Sequence, residues 1–282
     1  MVGEQLDRHG AEIFYDLRFE GAEPCAGGWR LAAPPIETRF LIGADGARSR
    51  VAEALGLGRN RRFLTGVEAE FPEAPAVDPE VLHCFLDNRL APGYLAWIVP
   101  GVGVTQVGLA VRAGHKPDLG AFLARLGPRF GLGSQAPLEA PLARRAGVIP
   151  AGGPVHPFWR PGALLIGDAA GLVSPLTGGG IQLAYRFGRR AAQLVSDHLI
   201  DGGGEPGRVL ARELPRFRLK RRLRQGLDLA PPNLVIEAAL RLGVTRRIAQ
   251  QIFFHRRGTS DPEAYRRFLR EGGSKGPDAI YR

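Results

Sequence analysis

Residues 159–199 read WRPGALLIGDAAGLVSPLTGGGIQLAYRFGRRAAQLVSDHL. The apolar run 163–166 predicts a short buried strand that ends at Gly167-Asp168. After a glycine-rich turn, apolar residues recur at helical spacing at Ile181, Ala184, Phe187, Ala191, Leu194 and Val195. A carboxylate therefore stands at the carboxyl end of a strand and just before a helix. In an open α/β sheet, ligands bind at this edge, and the N–H groups and dipole of a helix start favour an electron-rich or anionic group.

The amino-acid sequence of this stretch indicates a protein family more specifically than its predicted geometry does. GDAAGLVSPLTGGGIQLA closely resembles the second flavin-contacting motif of FAD-dependent oxidoreductases in the geranylgeranyl reductase and aromatic hydroxylase superfamily, whose members have an FAD/NAD(P)-binding fold. The resemblance implies that Asp168 hydrogen-bonds the ribityl chain of FAD. It also implies that the Pro-x-x-Gly-x-Gly turn brings backbone N–H groups to the isoalloxazine ring. The implied cofactor contacts are Gly167, Asp168, Ala169, Pro175, Thr177, Gly178, Gly179, Gly180 and Ile181.

A second strand-turn-helix unit precedes this one by about 120 residues, which is the spacing that the superfamily pattern requires. Residues 40–42 predict a buried strand, Asp45-Gly46 turns the chain, and Ser49 can cap a helix that Gly56 closes. The sequence Ala-Asp-Gly-Ala-Arg-Ser at 44–49 resembles the Asp-Gly motif of the same superfamily, which lies beside FAD. The resemblance adds four cofactor contacts, Asp45, Gly46, Ala47 and Ser49. Upstream, residues 12–19 are predicted to form a strand.

Between the two motifs the hydrophobic pattern becomes strand-like. Strands are predicted at 64–71, 81–86, 94–99 and 104–111, and a helix at 119–130. This β-rich insertion fits the antiparallel sheet on which the superfamily holds its substrate over the flavin. Residues 142–150 are predicted to be a strand that returns to the nucleotide-binding part.

Two aromatic residues in the insertion are candidate substrate contacts. Tyr94, Trp97 and Pro100 resemble the substrate-pocket motif of geranylgeranyl reductases, with Val99 where the family prefers Phe. Because Tyr94 and Trp97 are three positions apart, they would lie on opposite faces of an ideal strand, and only one could line a pocket unless a bulge re-aims the other. The alternative is that both rings pack in the core of the sheet.

Composition limits the class of protein. The 282 residues are 44% hydrophobic, which suffices for one large domain or two packed ones. The polar N-terminus and the lack of a long apolar run predict a cytoplasmic protein. Cys25 and Cys84 lie in unrelated segments and are interpreted as reduced thiols, and no cysteine and histidine cluster predicts a metal site.

The net charge of +10 is concentrated near the C-terminus, where residues 211–257 hold 12 Arg/Lys against 3 Asp/Glu. A solvated helical face is the leading interpretation, ahead of a patch for an anionic membrane surface. Nucleic acid is the least favoured partner, because stacking aromatics are not interleaved with the charges. Amphipathic spacing at 234–242 and 246–254 is compatible with docking on the protein body or with peripheral contact at the inner membrane.

One expected motif is absent. A flavoprotein of this type should open with a strand, a Gly-x-Gly-x-x-Gly turn and a helix. The formal match at 202–207 follows a helix, so we interpret it as a linker. We therefore expect a sequence without its FAD-anchoring unit, through truncation or a misplaced start codon. The alternatives are a split protein completed by an N-terminal polypeptide and a homologue that no longer binds flavin.

Together these patterns predict an α/β fold: a Rossmann-like FAD/NAD(P)-binding domain, incomplete at its N-terminus, with an inserted antiparallel β-rich substrate layer and a helical C-terminus. The predicted parts are residues 1–60 with the Asp-Gly motif, 61–141 with the β-rich region, 142–200 with the Gly-Asp motif, and 201–282 with the basic helices.

The resemblance implies an FAD-dependent oxidoreductase that reduces isoprenoid double bonds, because Gly171 stands where aromatic hydroxylases usually have His. FAD is the implied cofactor, NAD(P)H a candidate electron donor, and a hydrophobic isoprenoid-like molecule the expected substrate. The alternatives are a flavin-dependent monooxygenase or halogenase of the same fold and a non-catalytic binding module. The sequence identifies no catalytic proton donor.

Overall fold

The structure, a computed structural model, describes residues 10–79, 81–132, 141–229 and 231–242. The strands are β1 (Ala22–Cys25), β2 (Gly28–Leu31), β3 (Glu37–Thr38), β4 (Leu41–Gly43), β5 (Phe63–Pro72), β6 (His83–Phe85), β7 (Ala96–Pro100), β8 (Val104–Arg112), β9 (Ala143–Pro150), β10 (Trp159–Arg160) and β11 (Ala163–Leu165). The helices are α1 (Arg50–Ala54), α2 (Leu119–Leu126), α3 (Ile181–Asp201), α4 (Pro206–Glu213), α5 (Arg218–Asp228) and α6 (Asn233–Arg241). No helix among these is both long and apolar enough to cross a bilayer.

The chain divides into two compact units. The first holds the described residues up to 61 together with 152–173 and 179–216. The second holds 62–151, 174–178 and the described residues from 217 onward. The glycine-rich turn after Asp168 therefore starts in the first unit, enters the second for five residues, and returns.

Two parallel strands carry the predicted motifs in the first unit. β4 pairs with β11 in parallel from Leu41↔Ala163 to Gly43↔Leu165, and β10 completes the sheet. All three residues of β11 are fully buried, which confirms the predicted strand to within one residue. The prediction at 40–42 was less accurate, since the strand begins one residue later and Ile42 is 36% exposed. Ile42 is exposed because β4 is an edge strand among those described.

Helix α3 follows the second motif and packs through Leu183, Phe187, Ala191, Leu194 and Val195. Ile181, expected on the buried face, is 78% exposed because it is the first helical residue and Leu183 takes the inward position. The helix ends at Gly202, and α4 begins at Pro206. Residues 202–205 therefore connect two helices and residues 206 and 207 open the second one, so the segment follows a helix and is not a nucleotide-binding fingerprint.

The predicted strand at 12–19 is wrong. These residues form no strand, Tyr15 is 73% exposed, and Asp16 has a φ of 57°, which interrupts an extended chain. The first sheet is instead the antiparallel set β1-β2-β3, in which Trp29 is buried.

The second unit is built on a five-stranded antiparallel sheet of order β6-β7-β8-β5-β9, which confirms the β-rich insertion. One face packs on α2 through residues such as Phe71, Ile98, Leu109 and Phe122. Full burial of each such side chain contributes about 1.5–3 kcal/mol. Residues 142–150 do not return to the nucleotide-binding part as expected: β9 pairs with β5 over eight residues, because the long β5 offers it a free edge.

The helices of the basic C-terminal region are divided between the two units. Helix α4 belongs to the first unit, whereas α5 and α6 belong to the second. The helix predicted at 234–242 is confirmed as α6, and the one predicted at 246–254 lies outside the described residues.

Candidate functional site

The Asp45 turn is a closed helix cap. Asp45 Oδ1 accepts from Ser49 Oγ at 2.6 Å, and Asp45 Oδ2 accepts from the backbone N–H groups of Arg50 and Val51 at 2.6 and 3.1 Å. Ser49 Oγ in turn accepts from Ala52 N at 2.9 Å, as predicted for an N-cap. Gly46 has a φ of 82°, which gives the turn its left-handed step. The carboxylate of Asp45 is therefore engaged in holding its own turn.

The Asp168 turn differs in what its carboxylate contacts. Gly167–Ala170 form one 3₁₀ turn directly after β11, with Ala169 buried and Gly167 at a φ of 56°. Within the described part of the chain, no group donates a hydrogen bond to the half-buried Asp168 carboxylate, and burial raises its pKa. This carboxylate keeps its capacity to accept hydrogen bonds from a ligand.

The start of α3 lies beside that carboxylate. A Cβ added to Gly180, the N-cap of α3, would lie 3.3 Å from Asp168 Oδ1 and 2.9 Å from Val173 Cγ2. Its N-cap residue is a glycine and so has no side chain with which to cap this 21-residue helix. Its first-turn N–H groups lack intrahelical partners, and its dipole is positive at this end. The N–H donors at the start of α3 and the acceptor carboxylate of Asp168 therefore lie side by side in the first unit.

The Pro175–Gly178 part of the turn contacts Tyr94 within the second unit. Tyr94 Oη donates to Thr177 O at 2.5 Å. Gly178 has a φ of 63°, and a Cβ there would lie 2.6 Å from Tyr94 Oη, so only glycine fits this close approach. Pro175 is buried, and Gly179 follows in the first unit. Burial raises the pKa of the Tyr94 phenol, which keeps its proton at neutral pH.

Tyr94 and Trp97 lie on the same side of the sheet. Both pack with Leu64, Ala110 and Ile149 on the face opposite to α2. The expected opposite orientation is wrong because Tyr94 precedes β7, which starts at Ala96, so strand alternation does not apply between the two rings.

The ring of Trp97 lies flat on the sheet. A Cβ on Gly108 would fall 2.5 Å from the indole. The indole Nε1 donates to Glu68 Oε2 at 2.9 Å, and Glu68 is paired with Arg145. The two aromatic residues therefore form one apolar surface whose polar atoms are already satisfied by the protein.

Arg224 is a residue of this region that sequence reasoning missed. It belongs to the basic segment interpreted as a solvated face, yet it is 1% exposed. Its guanidinium donates to Gly93 O and Asp228 Oδ1 and stands 6.0 Å from the centroid of the Tyr94 ring. Burial lowers its pKa. The sequence signal was Asp228 four residues later, which supplies an i,i+4 partner for a cation.

These residues fit part of an FAD molecule. The Asp168 carboxylate suits a hydroxyl donor, and the uncapped start of α3 suits an electron-rich ring, whereas the carboxylate of Asp45 is already occupied by its own turn. The described residues that resemble a glycine fingerprint, 202–207, join two helices and offer no cradle for a pyrophosphate.

Sequence comparison supports this interpretation. No protein-family model matches the chain. It is 32% identical over 200 residues to digeranylgeranylglycerophospholipid reductase 2 of Methanothermobacter thermautotrophicus, a match that covers 69% of this chain and 49% of that protein. The chain spans about half the length, or less, of the reductases that it matches.

Solved structures share the fold. A geranylgeranyl bacteriochlorophyll reductase-like protein from Thermoplasma acidophilum superposes with a TM-score of 0.70 at 20% identity, covering 99% of this chain and 72% of that one. The flavin-dependent brominase Bmp2 gives a TM-score of 0.57 at 13% identity, covering 96% and 67%. The sequence relationship and the fold together make this chain a member of the FAD/NAD(P)-binding superfamily to which geranylgeranyl reductases belong.

Proposed function

We propose that the Asp168 turn and the start of α3 bind the isoalloxazine and ribityl parts of FAD, and that the protein is an FAD-dependent reductase of isoprenoid double bonds. One observation carries the proposal. The half-buried carboxylate of Asp168, which accepts no hydrogen bond from the described residues, lies next to the start of α3, where the N-cap is Gly180. A ribityl hydroxyl would donate to Asp168, and the N–H groups of the first turn of α3 would face the electron-rich edge of the ring.

Reduced FAD, when bound, supplies a hydride to an alkene. The residues of this chain bind and orient the reactants. The faces of Tyr94 and Trp97 offer an apolar surface to a polyprenyl chain, because their polar atoms are engaged by Thr177 O and Glu68. The proposed substrate class is isoprenoid, and the name of the relatives suggests a digeranylgeranylglycerophospholipid. NAD(P)H is the proposed electron source. A segment with a glycine fingerprint, covalently continuous or separate, would hold the ADP end of FAD.

Flavin binding is the first test. FAD and FMN share the ring and the ribityl chain, which are the parts that the proposed contacts face. Titration of each flavin with the purified chain, followed by flavin fluorescence, should therefore give dissociation constants within about threefold of each other. Saturable binding of neither flavin would overturn the proposal.

Turnover is the second test. Under anaerobic conditions with excess reduced FAD, a geranylgeranyl lipid should gain the mass of H₂ for each reduced double bond. Oxygen-dependent NAD(P)H oxidation with an aromatic substrate would instead favour a monooxygenase or halogenase. Flavin binding without either reaction would favour the non-catalytic binding module.

Helices α5 and α6 are the proposed contact with an anionic membrane surface. On α5, Leu219 and Leu223 are 66% and 39% exposed, and the neighbouring arginines 218, 221 and 222 are exposed as well. On α6, Leu234 and Val235 are exposed. Apolar and basic side chains on the same helices suit insertion at a headgroup boundary.

Vesicle co-sedimentation tests this contact. Binding should require anionic lipid and should fall when salt is raised, because the arginines act through screened charges. Leu219→Ser with Leu223→Ser should weaken binding, whereas Ile200→Ser, at a still more exposed apolar residue in the first unit, should not. Equal binding to neutral and anionic vesicles would contradict the proposal.

A further inference from the structure

Asn60 connects the two signature turns. It lies in the first unit, between α1 and β5, and its side-chain amide reaches both turns. Nδ2 donates to Ala47 O at 3.0 Å in the Asp45 turn and to Asp168 O at 2.8 Å in the Asp168 turn. The two acceptors belong to residues 121 positions apart in the sequence. One nitrogen atom thus ties together two segments that folding brings to the same edge.

The strands do not make this connection by themselves. The ladder between β4 and β11 continues as far as the bond from Ile166 N to Gly43 O, at 2.9 Å. Beyond it the chain enters a helix cap after β4 and a 3₁₀ turn after β11, which have different backbone geometries. Asn60 supplies its two hydrogen bonds beyond the last bond of the ladder, where no other hydrogen bond joins the two turns among the described residues.

The chemistry at this position is specific to an amide. Both hydrogens of Nδ2 are used, so a hydroxyl or an apolar side chain cannot replace the pair. Asn60 Oδ1 is buried and has no hydrogen-bond partner within the described part of the chain. A Cβ on Gly171 would lie 2.8 Å from that oxygen. A buried unpartnered acceptor is costly, and an apolar residue would avoid the cost.

We propose that Asn60 is a positioning residue for the flavin, which fixes the separation of the Asp45 and Asp168 turns so that both present a single surface to the cofactor. The inference rests on the proposed flavin site and deepens it. Asn60 acts through the backbone of the two turns and does not contact the flavin.

The substitution Asn60→Asp tests the proposal with little change in shape. Near pH 8, a carboxylate would face two carbonyl oxygens, and the dissociation constant for FAD should rise about tenfold or more relative to the unsubstituted chain. As the pH falls towards about 5, the introduced carboxyl should regain a proton and donate to one carbonyl, since two nearby acceptors raise its pKa. The ratio of the two dissociation constants should therefore fall at low pH without reaching unity, because the carboxyl restores only one of the two hydrogen bonds.

Asn233→Asp is the matched control. Asn233 also donates through its amide, to Asp87 Oδ1 at 2.6 Å, but it lies in the second unit and takes no part in the flavin turns. Its substitution should cost stability and leave flavin affinity within about twofold. Flavin affinity is measured under conditions in which circular dichroism shows each variant to be fully folded. An equal decrease in flavin affinity in both variants, or no decrease in Asn60→Asp near pH 8, would overturn the proposal.

A second measurement keeps the test decisive if Asn60→Asp fails to fold. Asn60→Ala removes both donors without adding charge, so flavin affinity should fall at every pH. Without flavin, backbone hydrogen exchange at residues 44–52 and 166–173 should accelerate about tenfold in this variant. If the unsubstituted chain binds no flavin, the proposed function is wrong, whatever Asn60 does. If hydrogen exchange is unchanged in Asn60→Ala, Asn60 does not hold the turns together, whether or not flavin binds.

Discussion

The Asp45 and Asp168 turns follow neighbouring parallel strands, and each has an aspartate at the strand's carboxyl end. Asp45 accepts three hydrogen bonds from its own turn and helix. Asp168 is half-buried, its pKa is raised by burial, and no described group donates to its carboxylate. An aspartate that follows a parallel strand is thus a structural cap in one case and a free acceptor in the other. The hydrogen bonds to the carboxylate, and not its position after a strand, separate the two roles.

Substitution of a glycine in each turn by alanine should give the largest difference in stability between the two turns. Gly171 has a φ of 67°, and a Cβ there would lie 2.4 Å from Gly153 O. Gly46 has a φ of 82° but nothing within 4 Å of its added Cβ. Gly171→Ala should therefore destabilise by about 3 kcal/mol or more, through backbone strain and collision, and Gly46→Ala by only about 1 kcal/mol. Urea unfolding measures both; equal costs would show that the Asp168 turn relaxes freely.

Removing the capping carboxylate should give the next largest effect. Asp45→Ala deletes the acceptor of three hydrogen bonds and should lower the free energy of unfolding by about 2 kcal/mol. Flavin affinity of the folded variant should fall by less than the roughly tenfold loss expected for Asn60→Asp, because the Asp45 carboxylate does not face the flavin and Asn60 still ties the two turns together. Glu53→Ala is the control, because it removes an exposed carboxylate from the same helix and should cost less than about 0.5 kcal/mol. A large loss of flavin affinity in folded Asp45→Ala would contradict the assignment of Asp45 as structural.

The sequence predicted those features that depend on neighbouring residues. Helix α3 kept its apolar face because Phe187, Ala191 and Leu194 recur at helical spacing. Ser49 was predicted to cap α1 because a serine hydroxyl directly before a helix can accept a hydrogen bond from a backbone N–H group of the first turn. Gly46 and Gly171 have positive φ, which glycine adopts without steric strain.

Features that depend on distant pairing were not predictable. Arg224 lies among five cations in the sequence RLKRRLRQGLD, and Asp228 four residues later is its one local distinction, but its burial beside Gly93 O depends on the fold. Asn60 has no local signature, because its two acceptors belong to turns that meet only in the folded chain. The strand that β9 pairs with was not predictable, because its sequence ARRAGVIP does not alternate apolar and polar residues and carries no signal for β5.

Asp168→Asn should separate binding from stability. The amide keeps the size of the side chain, but it replaces an anionic acceptor by a weaker neutral one, so flavin affinity should fall about tenfold. The stability of the flavin-free chain should stay the same or rise slightly, since a half-buried charge without a described donor is removed. Thermal unfolding with and without flavin measures both effects. A loss of flavin-free stability would show that the Asp168 carboxylate has a structural role like that of Asp45.

The pH dependence of the Asp168 carboxylate should be the smallest and most specific effect. Because burial raises its pKa in the folded chain, its contribution to stability is present below the unfolded pKa of about 3.9 and is lost as the pH rises through the folded value. Flavin affinity should change in the opposite direction over the same interval, since the ionised carboxylate is the stronger acceptor for a ribityl hydroxyl. Asp168→Asn should abolish both dependences, and Asp45→Ala should abolish neither. Flavin titrations at a series of pH values, compared among the three chains, would contradict the assignment if affinity fell with rising pH.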